Sequence, residues 1–180
     1  FLIAFALAVF AHRHRWLQTP FLAGTGILYT IPSISFFFLL LPLTGRGAMT
    51  AIIALTAFNL QIIFRNITTG LRNVPPDVTE AARGIGLTRS QVLRQVELPL
   101  ALPEIIAGLR IATVSTVALA TLAVFANGGG LGAEIVTGSN ITFKTGIIVA
   151  GSIAVLMAIL FDAVLLLARK ALTPWQRAAP

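Results

Sequence analysis

Residues 74–103 read VPPDVTEAARGIGLTRSQVLRQVELPLALP, a charged stretch punctuated by glycine and proline and set among long apolar runs. Pro75-Pro76 stops a helix arriving from the preceding residues, because proline disfavours the helical conformation in the residue before it. Asp77 is placed as an N-cap, with Glu80 three residues on completing a capping box. Ala81 and Ala82 propagate the helix without side-chain entropy cost, and Gly84 and Gly86 end it. Thr88 and Gln91 form a second capping box, opening a helix with Val92, Leu93 and Val96 on one face and Arg89 and Gln95 elsewhere. Pro99 is expected to end that helix, and Pro103 to sit in the first turn of the next. Two short capped helices around a glycine turn make a compact knob for a partner. A hairpin lying on a membrane surface accounts for the amphipathicity alone.

The surroundings of the knob are those of a membrane protein. Of 180 residues, 57% are hydrophobic and 11% charged, with a mean hydropathy of +0.91; soluble domains carry about 25% charge. The net charge of +7 does not indicate a nucleic-acid binder, because the basic residues lie between apolar runs instead of on one polar face. No cysteine is present, which excludes disulfides and thiolate metal sites. His12 and His14 lack carboxylate or cysteine partners nearby in sequence and read as interfacial residues. The glycine run at 128–130 lacks the Lys-Ser/Thr ending of a P-loop and suits a tight outer turn.

Charge-free windows, matched to the ~20 residues needed to cross a bilayer, place spans at about 21–43, 47–64, 105–126 and 146–168. Residues 1–11 read as the remnant of a further span whose N-terminal half is missing. That gives a single transmembrane domain over 1–180, with a polar loop at about 65–103. If this loop is cytoplasmic, alternation puts ten Lys and Arg residues inside and only Arg46 and Lys144 outside, with Arg110 at the inner interface. Asp162 is an intramembrane carboxylate two turns before Arg169 and Lys170, where a structural ion pair is expected. Ala150, Ala154 and Ala158 form a small-residue stripe for close helix packing, against a second copy in one reading. Pro32 and Pro42 free backbone groups inside a span, and Ser33 and Ser35 are placed to line a cavity there; a packed kink is the alternative.

The spacing Glu80-Ala81-Ala82, three residues, Gly86, nine residues, Val96, one residue, Leu98-Pro99 resembles the signature loop of ABC importer permeases, the binding-protein-dependent inner-membrane components. The likeness extends along nearly the whole chain. It is greatest to the permeases for glycine betaine, carnitine and choline, through Arg13-His14-Arg15-Trp16-Leu17, Ile31-Pro32-Ser33, Leu39-Leu40-Leu41-Pro42, Arg65-Asn66, residues 97–103 and Gly128-Gly129-Gly130-Leu131-Gly132. The chain departs from that group at its N-terminus, where most of the first span is absent.

The resemblance implies an all-α membrane protein of the type I, MetI-like fold, with about five transmembrane helices, the first truncated, and a cytoplasmic helix-turn-helix coupling loop. It implies that Glu80, Ala81, Ala82, Gly86, Val96, Leu98 and Pro99 couple the permease to a separate ATPase, the alanines permitting close approach and the glutamate meeting basic residues. It also implies a prokaryotic cytoplasmic (inner) membrane, two ATPase copies that hold ATP and magnesium, a solute-binding protein and surrounding lipid. The chain itself binds no cofactor and is no enzyme on this reading. Five spans are too few to enclose a polar path, so a second identical or paralogous permease chain is expected. Pro32, Ser33 and Ser35 are the candidate path residues. Alternative cargoes are methionine, another amino acid or an oxyanion. An ion-driven secondary transporter or channel predicts intramembrane charges or an inverted repeat, and Asp162 alone is of that kind.

Overall fold

A computed structural model describes residues 1–177, and every regular element among them is helical. Helices α1 (Leu2–Arg13), α2 (Gln18–Thr30), α3 (Ser33–Thr44), α4 (Ala48–Arg72), α5 (Pro76–Gly84), α6 (Arg89–Val92), α7 (Leu98–Thr121), α8 (Leu131–Asn140) and α9 (Lys144–Leu172) follow in order. By length and composition three helices are able to cross a membrane: α4, the continuous run Arg89–Ala126 that contains α6 and α7, and α9. The pair α2 and α3 adds a fourth if it counts as one span.

Over the window expected to cross once at about 21–43, α2 and α3 instead meet at 100°. Ile31 precedes Pro32 and is extended (φ −71°, ψ 125°), as a residue before proline prefers. Helix α4 continues past its charge-free window to Arg72, because Arg65 and Arg72 point outward while Ile63, Phe64, Ile67 and Leu71 stay buried. Arginines on the outer face interrupt the hydropathy without interrupting the helix.

The largest packing is between α4 and α7. Glycines allow it: a Cβ on Gly70 would lie 2.9 Å from Glu104 Cβ and 3.0 Å from the Ala101 carbonyl, and one on Gly108 would run into Asn66. One core gathers Ala4, Ala8, Phe64, Ile67, Leu93 and Ile105 from α1, α4, the knob and α7. A second, at the other end of α4, joins Phe36, Phe37, Ala54, Phe58 and Ala126. The glycine-rich turn, with Asn127 left-handed (φ 62°), leads into α8, a helix that no charge-free window suggested. Ala150 and Ala154 are buried within the chain itself, so the small-residue stripe of α9 serves an internal contact here.

Candidate functional site

Residues 73–97 form the expected knob, with three departures from the sequence reading. The first helix begins earlier than Asp77. Pro75 holds the capping position and Pro76 is the first helical residue, where a missing N–H and a fixed φ cost nothing. Asp77 therefore lies inside the first turn, favourable to the helix dipole but making no cap. Glu80 is left exposed instead of closing a box.

The turn that follows is a Schellman motif. Leu87 N donates to Ala82 O at 3.2 Å and Gly86 N to Arg83 O at 2.9 Å, with Gly86 at φ 92°. Nothing stands within 4 Å of a Cβ there, so backbone conformation alone selects glycine. The capping box of Thr88 and Gln91 forms as expected: Thr88 N donates to Gln91 Oε1 at 2.8 Å and Gln91 N to Thr88 Oγ1 at 3.4 Å.

The largest departure is at Pro99, which does not end the second helix. Residues Leu93–Glu97 widen into a π turn, and Leu98 N donates to Leu93 O. A proline has no N–H for the carbonyl four residues back and crowds it. The wider turn accommodates this, and the chain continues as α7 through both Pro99 and Pro103. The prolines thus separate the knob from α4 alone.

This geometry divides the seven expected coupling residues. Glu80, Ala81 and Gly86 face outward. Ala82 is buried on the side of α5 that packs against α6 and the π turn, where Val92 and Leu93 are buried too. Val96, Leu98 and Pro99 are half-buried on the π turn and first turn of α7, and Leu98 packs against the main core. Only the first three are open to solvent; the other four are covered at least in part by the chain itself.

Sequence reasoning overlooked Ile85, 81% exposed at the tip, and Val78, 41% exposed. With Ala81 they make an outward apolar stripe at positions i, i+3 and i+7. The spacing was visible, but α5 is apolar on a second side through Ala82, and only packing decides which side stays uncovered.

Two long-range polar contacts tie the bundle. His12 Nε2 lies 3.1 Å from Glu97 Oε2, so the ring of α1 donates to the carboxylate that ends the π turn. His12 is thus half-buried and has a carboxylate partner 85 residues away, one that the neighbouring sequence does not offer. Among the described residues no third ligand joins them to make a metal site. Asp162 is held not from its own helix but by Arg110 of α7, with Nε donating to Oδ1 at 2.8 Å and Nη2 to Oδ2 at 2.7 Å. A two-pronged bond of this kind neutralises both charges inside apolar helices. Pro32 and Ser35 are exposed and Ser33 half-buried at the 100° bend between α2 and α3.

Residues 1–178 match the family described as binding-protein-dependent transport system inner membrane component. The glycine betaine/carnitine/choline transport system permease protein OpuCD of Bacillus subtilis is 39% identical over 174 residues, covering 96% of this chain and 76% of the relative. The osmoprotectant import permease protein OsmW of Salmonella typhimurium is 39% identical over 182 residues, covering 96% and 83%. Among solved structures, a chain of the MetNI methionine ABC transporter in an inward-facing conformation superposes with a TM-score of 0.83. It covers 96% of this chain and 87% of that one at 24% identity, a likeness of fold alone.

Proposed function

We infer that this chain, which belongs to the family of binding-protein-dependent transport system inner membrane components, forms the membrane path of an importer for a quaternary-ammonium osmoprotectant. Membership makes it a multi-pass permease subunit of an ABC importer, a transport component working with an ATPase and a solute-binding protein. Two copies of the ATPase, carrying ATP and magnesium, and a second permease chain complete the proposed assembly. The cargo is assigned from relatives named for glycine betaine, carnitine and choline and for osmoprotectants in general. The methionine transporter shares the fold at an identity too low to bear on cargo.

The observation that carries the coupling role is a knob with Glu80, Ala81 and Ile85 uncovered on α5, while its second helix runs unbroken into the spanning helix α7. A partner that grips α5 and α6 therefore moves α7 directly. Pro32, Ser33 and Ser35, at the bend of α2 and α3, are proposed to line the path. The test is reconstitution with the cognate ATPase and binding protein, measuring ATP-dependent uptake of glycine betaine, choline and methionine. Uptake of betaine or choline is expected. Uptake of methionine alone would overturn the cargo, and uptake indifferent to ATP would overturn the coupling role.

A further inference from the structure

Where the knob faces back toward the spans, a cleft of about 960 Å³ opens between the ends of α1 and α4 and helices α5 and α6. Four different helices each send one arginine to its lining: Arg13, Arg72, Arg83 and Arg89. All four are exposed, and among the described residues none is bonded to a carboxylate. Glu97 is the acid of the lining among those residues, and His12 already occupies it. The hydroxyl of Ser90 adds a neutral hydrogen-bonding group.

Four positive charges gathered on one space repel one another unless an anion answers them. Guanidinium groups suit phosphate best, since they offer paired N–H donors in a fixed fork. Depth supplies the second half of the argument. The cleft lies where the apolar helices α1 and α4 give way to arginine, the level at which lipid phosphates meet a membrane protein.

We propose that this cleft binds the phosphate of an anionic membrane lipid and so fastens the knob to the ends of α1 and α4. The placement of this end of the helices at the inner membrane surface rests on the function proposed above. A phosphate held by all four arginines joins α5 and α6 to the ends of α1 and α4 through charge-assisted hydrogen bonds, in addition to the one that His12 makes to Glu97.

The assembled transporter, purified with its ATPase, is placed in nanodiscs of phosphatidylcholine with and without phosphatidylglycerol, and retained lipid is counted by native mass spectrometry. Wild type is expected to keep phosphatidylglycerol in preference to phosphatidylcholine. The double variant Arg72→Gln/Arg89→Gln should bind it about twenty-five-fold more weakly, since each basic residue near an anionic surface contributes roughly a factor of five. Arg46→Gln, at the opposite end of α4, should bind as wild type does. Equal retention by wild type and the double variant would overturn the proposal. Should the double variant not assemble, wild type is titrated with inorganic phosphate. Displacement of phosphatidylglycerol supports the site, whereas phosphate binding without preference between the two lipids makes the ligand a soluble one and overturns it. Lipid retention is read without transport, so a complex that carries another cargo, or none, still gives an answer.

Discussion

At its leading junction the knob hangs from α4 by residues 73–75, which are not helical and end in a proline. At its trailing junction α6 passes through the π turn into α7 as one run of 38 residues, about 57 Å long. One connection is a hinge and the other a rod. In the proposed coupling role, a push on the knob would be absorbed by backbone rotation at residues 73–75 but would reach the bilayer through α7. On the proposed function, that asymmetry gives the two helices different tasks: α5 would present surface, and α6 would convey displacement.

The most severe way to break the comparison is to soften the rod. Inserting Gly-Gly between Glu97 and Leu98 should lower ATP-driven uptake about tenfold or more, equivalent to ~1.4 kcal/mol of coupling, while the same insertion between Asn73 and Val74 should leave most of it. Uptake assays on proteoliposomes decide this, and equal losses at both junctions would refute the distinction.

The rod also depends on its seat in the membrane. Asp162→Asn leaves the Arg110 guanidinium without its two-pronged carboxylate partner and should destabilise the packing of α7 on α9. Thermal unfolding in detergent should show the loss, and the double variant with Arg110→Gln should recover much of it. A double variant as unstable as the single would mean the pair is not what holds α7 to α9.

Gly86→Val sharpens the presenting half. The site is spacious but its φ of 92° suits glycine, so the cost is conformational and about 1–2 kcal/mol, confined to the knob. Uptake should fall while membrane insertion and the melting of the bundle stay near wild type; a lowered bundle melting temperature would contradict that confinement. The mildest effect on stability is expected from Ile85→Asp, within about 0.5 kcal/mol for so exposed a residue. Its association with the ATPase should nevertheless weaken, as pull-down with the purified partner would reveal. Undiminished association would remove Ile85 from the contact.

These cases separate what local sequence encodes from what it does not. The Thr88–Gln91 box and the Gly86 turn were legible because each is decided within three to six residues by hydrogen bonds and φ. Pro99 was misread because a proline stops a helix only if the preceding carbonyls have nowhere else to go. Here Leu93 and Leu98 pack against the core and the widened turn gives those carbonyls room. The partner of Asp162 lies 52 residues away on another helix, and Glu97 is 85 residues from His12, so neither pair leaves a spacing to read. The outer stripe of α5 is intermediate: its periodicity was present, its exposure was not.

The π turn at Leu93–Glu97 carries a further consequence, for how such chains tolerate insertions and deletions. A π turn amounts to one surplus residue in an α-helix. Removing a single residue between 93 and 97 would restore ordinary winding and leave the segments on either side in nearly the same relative orientation, since the wider turn already absorbs the surplus residue. The knob would remain folded, its stripe intact and its bearing nearly unchanged. A second deletion there, with no surplus residue left to absorb it, would turn the knob by about 100° relative to α7.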